Sequence, residues 1–135
     1  MSSSIVAVIC FAGWTLVTAL VMVTHRVIYV LSGRRKINTF PADGVAVSPF
    51  QARACRVHAN CYENLPVFAA LVLGAAVAGR SAITNPLAMI AVYARIGQST
   101  VHLISTSESA VAIRATFWTV QMVIMISWAW RMLLG

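Results

Sequence analysis

Acidic side chains are nearly missing from this chain of 135 residues. Asp43, Glu63 and Glu108 are the only ones, against ten lysines and arginines. Charged residues of both signs make up 10% of the sequence and hydrophobic ones 60%, with a mean hydropathy of +0.84. A water-soluble domain carries about 25% charged residues, so the composition excludes one and describes a membrane protein. Cysteine is scarce too. Cys10, Cys55 and Cys61 are odd in number and irregular in spacing, which excludes a disulfide framework. On one helix Cys55 and Cys61 point about 120° apart and cannot bridge each other. All three are read as small buried hydrophobes. His58 and Cys61 at i, i+3 have no second ligand pair, so no metal site is expected. Internal repeats and low-complexity tracts are absent.

The chain is rich in long apolar runs. Spanning a bilayer takes about 20 helical residues, and four candidate spans fit: Ile5–Leu31, His58–Ala78, Pro86–Ser105 and Ile113–Leu134. These use most of the chain, so residues 1–135 are expected to form a single all-α, four-transmembrane-helix domain. The runs are too long, and alternate too little, for a transmembrane barrel. Met1-Ser-Ser-Ser is no basic n-region and Ile5–Thr24 is longer than a signal h-region, so the first span is expected to stay as an anchor.

Turn chemistry marks the connections. Phe40-Pro41-Ala42-Asp43-Gly44 breaks the first long loop, and Ser48-Pro49 can start helix two well before lipid. Gly79-Arg80-Ser81 ends helix two, Asn85-Pro86 opens helix three, and Thr106, Ser107 and Ser109 are candidate N-caps for helix four, with Glu108 beside its positive end. Arg34, Arg35, Lys36, Arg53, Arg56 and Arg114 flank the first and third loops, while only Arg80 and Arg131 lie at the opposite face. The positive-inside bias then puts loops one and three in the cytoplasm and both termini outside, in the inner membrane if the cell is bacterial. The basic excess sets topology and contacts lipid headgroups; it does not call for nucleic acid. His25 and Arg26 are expected to snorkel to the interface.

Two polar stripes enter the lipid zone. Arg53, Arg56, Asn60 and Glu63 are spaced 3, 4 and 3 apart, which on an α-helix confines them to an arc of roughly 80°. On helix three, Arg95, Gln98 or Ser99, and His102 repeat at i, i+3/4, i+7. An ionisable group at the bilayer centre costs about 2.5–3.5 kcal/mol, so both stripes need partners or a polar ligand. Helices two and three run in opposite directions, which brings Glu63 and Arg95 to similar depth, and an ion pair between them is expected. Arg53, Arg56 and Arg114 remain without a protein acid in reach. Clustered guanidinium forks of this kind suit a carboxylate ligand, which points to a pocket for a small anion opening sideways to lipid.

The segment R-x-x-R-x-H-x-N-x-x-E, here Arg53, Arg56, His58, Asn60 and Glu63 with Pro66 and Phe68 shortly after, closely resembles the signature of the MAPEG family, the membrane-associated proteins of eicosanoid and glutathione metabolism. Asn38–Asp43 resembles the family's F-x-N-P-x-D loop, Arg95 begins a G-R-x-x-H-like stripe, and Arg114 opens the last helix. The resemblance implies a homotrimer that binds glutathione as co-substrate between protomers at the cytoplasmic side and acts on lipophilic small molecules drawn from membrane lipid. By carry-over, Arg53, Arg56, His58, Asn60 and Glu63 contact the tripeptide, Arg95 and His102 supply the facing wall, and Arg114, oriented by Asp43, stabilises the thiolate. The chain departs from the family at His102, which stands in place of a tyrosine, and at Gln98, in place of a histidine. Ala115 and Trp118 likewise replace a serine and a tyrosine, and with them goes prostaglandin-specific chemistry.

Glutathione conjugation or peroxide reduction is therefore the leading expectation. A non-catalytic lipid- or ligand-binding member of the same fold is the second, and a small four-helix transporter or assembly subunit the third.

Overall fold

The computed structural model describes all residues, Met1–Gly135, as four helices without strands: α1 (Ser3–Leu31), α2 (Pro49–Val77), α3 (Ala88–Ile104) and α4 (Glu108–Leu134). Three of them, α1, α2 and α4, are long and apolar enough to cross a membrane. The third has 17 residues, about 25 Å at 1.5 Å per residue. It is shorter than the expected Pro86–Ser105 span and turns Arg95, Gln98, Ser99 and His102 into the bundle.

The boundaries follow from local chemistry. Ser48 Oγ accepts from Gln51 N–H at 3.0 Å with Pro49 at the first helical position, and Ser107 Oγ accepts from Ala110 N–H at 3.3 Å beside Glu108. Two helices end in the same device. Gly33 and Gly79, both at φ +69°, turn the chain so that Arg34 N–H reaches Tyr29 O at 3.0 Å and Arg80 N–H reaches Ala75 O at 2.7 Å. Carbonyls orphaned at the ends of α1 and α2 are thereby satisfied.

One expected boundary shifts. Asn85-Pro86 does not open the third helix, which begins at Ala88 after a 3₁₀ turn, Ser81–Ile83. Asn85 instead caps α1: its Oδ1 accepts from Ser4 N–H at 3.2 Å and Ser4 Oγ at 2.8 Å, while its carbonyl accepts from Ser3 Oγ at 2.9 Å. The first N–H groups of α1 have no intrahelical acceptor, and Ser2 supplies no side-chain cap, so Asn85 serves them from across the bundle.

Both termini meet the α2–α3 link at one end of the bundle, where Arg80 donates to Met132 O at 2.9 Å and Arg131 O at 2.8 Å. At the other end Arg53 Nε–H on α2 reaches Leu103 O on α3 at 2.9 Å. The helices therefore run antiparallel in chain order. Phe11, Phe68 and Trp128 form the aromatic centre, with centroids 5.3 and 5.7 Å apart, and small residues such as Ala7, Cys61, Ala88 and Ala91 let the backbones close around it. The α3–α4 seam is equally tight. A Cβ on Gly97 would stand 2.8 Å from the Phe117 ring. Gly97→Val should accordingly overpack the seam and cost about 1–3 kcal/mol, read as a lower melting temperature in detergent with the helical signal retained.

One expectation is corrected here. Cys10 is exposed on α1 rather than buried, whereas Cys55 and Cys61 are buried. Arg26 and His25, near the loop end of α1, take partners within the protomer: Arg26 Nη2 donates to Pro41 O at 3.3 Å in the α1–α2 loop and lies 3.6 Å from Cys55 Sγ, and His25 Nδ1 lies 2.8 Å from Gln51 Oε1.

Candidate functional site

The charged stripe of α2 lies on the flank of that helix's packed face. Ala54, Val57, Cys61, Phe68 and Val72 face the core, and at about 100° per residue Arg53, Arg56, Asn60 and Glu63 centre about 110° round the helix from them. Arg56 and Glu63 are exposed on the protomer, and Arg53 and Asn60 half-buried. This rotation overturns the expected Glu63–Arg95 pair. Arg95 is 1% exposed, donates from Nη1 to Gln98 Oε1 at 2.7 Å and lies 5.6 Å over the Phe11 ring, with no ion pair to Glu63. Its Nε and Nη2 groups have no acceptor at all.

Where α2, α3 and α4 meet near the loop end, Asn60, Gln98, His102, Arg114 and Trp118 line an open cleft of about 260 Å³. The side chains of Asn60, His102 and Arg114 make no hydrogen bond within the protomer, and Arg114 Nε is buried without a partner. The positive fields of Arg114, Arg56 and Arg53 converge on His102. No carboxylate lines the cleft.

Gln98 fixes the polarity of the inner wall. A guanidinium can only donate, so the Gln98 oxygen must face Arg95; the same oxygen accepts from Gln121 Nε2 at 3.5 Å. The amide nitrogen of Gln98 makes no hydrogen bond within the protomer, and Gln98 lines the cleft. Gln98 and Arg114 thus bring free donors to a cleft that no carboxylate lines, an arrangement suited to an anion. Gln121, 2% exposed, was invisible to stripe reasoning because it stands alone on an apolar helix, its neighbours one turn away being Phe117, Trp118, Ile124 and Met125.

Of the residues named from the sequence, the fold brings Asn60, His102 and Arg114 into one cleft with Arg53 and Arg56 nearby, and holds Arg95 behind Gln98. Three others stand apart within the protomer. His58 turns toward α1, its Nδ1 3.2 Å from Thr18 Oγ1. Asp43 Oδ1 accepts from Val45 N–H at 3.1 Å and makes no ion pair with Arg114. Glu63 faces outward beyond Asn60.

A four-helix membrane bundle with a donor-lined cleft at one end is thus the class of protein that fold and site define. The MAPEG family model matches residues 4–134, nearly the whole chain, and the protein belongs to the MAPEG family. No curated protein and no solved structure matches it.

Proposed function

We propose that the protein is a membrane-bound glutathione transferase or peroxidase that binds the glutathione thiolate for attack on lipophilic electrophiles or hydroperoxides. The carrying observation is the cleft of Asn60, Gln98, His102 and Arg114, which presents unpartnered donors and no acid. Glutathione has two carboxylates, one ammonium and one thiol. Arg53 and Arg56 match the carboxylates, Glu63 the ammonium, and Arg114 the sulfur, where a cation favours the nucleophilic thiolate. The cleft of one protomer is smaller than ordinary ligand pockets, about 300–1,000 Å³. Exposed Arg56 and Glu63 also cannot face hydrocarbon without cost. A second copy laid against α2 answers both needs, so the working unit is a homotrimer with glutathione between protomers, and Asp43 and His58 act there from a neighbouring chain or only in the loop and bundle. The whole chain is one membrane domain in this reading, with the cleft toward the cytoplasm.

Purified protein should bind glutathione in calorimetry at pH 7 and conjugate it to a chromogenic aryl halide. Binding without conjugation would favour a non-catalytic ligand-binding role, a reading to which Ala115 and Trp118 give some support, since both line the cleft without a hydroxyl group. Orientation has its own test. A reporter fused after Gly135 should be active outside the cytoplasm, and one that works only inside would invert the bundle and remove glutathione from the cleft's side.

A further inference from the structure

The largest cavity in the protein lies away from this cleft. It is a groove of about 590 Å³ between the last turns of α1 and the segment that follows, walled by Val23, Val27, Val30, Ile37 and Phe40, with Arg26 as its one cation. The Arg26 guanidinium lies 5.7 Å over the Phe40 ring, and its Nε is buried with no acceptor. Its two contacts, to Pro41 O at 3.3 Å and Cys55 Sγ at 3.6 Å, are long and neutral. The chain has no counter-anion to offer. Asp43 is engaged with Val45 N–H, and no carboxylate lines the groove. A guanidinium whose Nε is buried without an acceptor lacks a hydrogen bond that an anion in the groove would supply.

Around the mouth the chemistry repeats. Leu31 and Ile37 are 82% and 81% exposed, and Arg34 and Lys36 stand exposed beside them. Arg35 binds the carbonyls of Thr39 and Ala46 and so holds the wall in place, while Arg34, 5.6 Å over the Tyr29 ring, and Lys36 make no ion pair or side-chain hydrogen bond. Aliphatic walls, an unneutralised cation inside and two more at the rim describe a receptor for an anionic amphiphile. We propose that the groove binds an anionic phospholipid, with an acyl chain along Val23–Val30 and the phosphate between Arg26 and the Arg34–Lys36 rim. A phospholipid fits better than a single-chain carboxylate because the cations are distributed from the groove to the rim, and anionic headgroups are the concentrated anions at that level of a membrane. Binding here is independent of glutathione.

The test compares protein reconstituted in phosphatidylcholine nanodiscs with protein in mixed phosphatidylcholine–phosphatidylglycerol nanodiscs, followed by native mass spectrometry and thermal melting. Wild type should retain phosphatidylglycerol in preference to phosphatidylcholine and melt several degrees higher in the mixed lipid. Arg26→Gln should abolish both differences. Val27→Trp, which fills the groove from an exposed position and keeps every charge, should also abolish them, and guards against misfolding of the first variant. Equal retention of the two lipids by wild type, or undiminished preference in both variants, overturns the proposal. So does displacement of phosphatidylglycerol by equimolar oleate, which would make a single-chain carboxylate the occupant. Cross-linking of Ile37→Cys between copies in phosphatidylglycerol would show the groove covered by protein instead and equally overturn it.

Discussion

Arg114→Ala should bind glutathione within a few-fold of wild type yet conjugate it on the order of 10²-fold more slowly at pH 7, the loss typical of removing one electrostatic stabiliser. Its half-buried guanidinium lines the cleft, and its Nε finds no partner in the protomer. It also lies in the second turn of α4, which begins at Glu108, so the positive end of that helix acts in the same direction. In the proposed complex Arg53 and Arg56 hold carboxylates and supply most of the affinity, while Arg114 faces the sulfur. Removing it therefore changes which protonation state of the thiol is bound rather than how tightly the tripeptide is held. The ultraviolet band of bound thiolate reads this directly. Wild type should show the band near neutral pH, and Arg114→Ala only at higher pH, with conjugation recovering in parallel. A variant that conjugates at the wild-type rate removes Arg114 from the activating role.

The helix ends were legible in the sequence because they rest on local chemistry. Ser48-Pro49, Gly79 and Ser107 act within a few residues of where they stand, and each appears in the fold where its type requires it. Asn85 did not yield to the same reasoning, since its hydrogen bonds go to Ser3 and Ser4, 82 and 81 residues away. The Glu63–Arg95 pair failed for a different reason. Depth in the membrane follows from counting residues along a helix, and it was read from the sequence. Rotation about the helix axis is ordinarily read from an apolar stripe, but in a bilayer the lipid-facing side of a helix is as apolar as its packed side, so apolarity did not say which face of α2 meets α3. The small residues Ala54, Cys61 and Ala75 mark the packed face, and they were the available signal. Cys10 illustrates the same ambiguity: a thiol facing lipid and one facing the core look alike in a charge-free run.

Gln98→Glu should move stability and binding in opposite directions. In the native protein the Gln98 oxygen is the sole acceptor for Arg95, whose remaining donors are buried without partners. A carboxylate at that position supplies the anion Arg95 lacks, at the distance where the 2.7 Å hydrogen bond already forms. The melting temperature should therefore hold or rise. Toward the cleft the same substitution removes the amide donor and adds negative charge facing a ligand that carries two carboxylates and a thiolate. Glutathione affinity should fall on the order of 10²-fold, about 2.7 kcal/mol in binding free energy. Gln98→His, which keeps a donor and adds no negative charge, should retain most of the affinity. Gln121→Leu removes the second donor to the Gln98 oxygen but leaves Arg95 in place, so it should weaken binding only slightly. Calorimetry and melting curves on the three variants give the pattern. Joint loss of stability and binding in Gln98→Glu would mean that Gln98 serves only the packing of α3 against α4. A fall in affinity with stability preserved would assign it to the wall that reads the anion, with Arg95 and Gln121 as the residues that aim it.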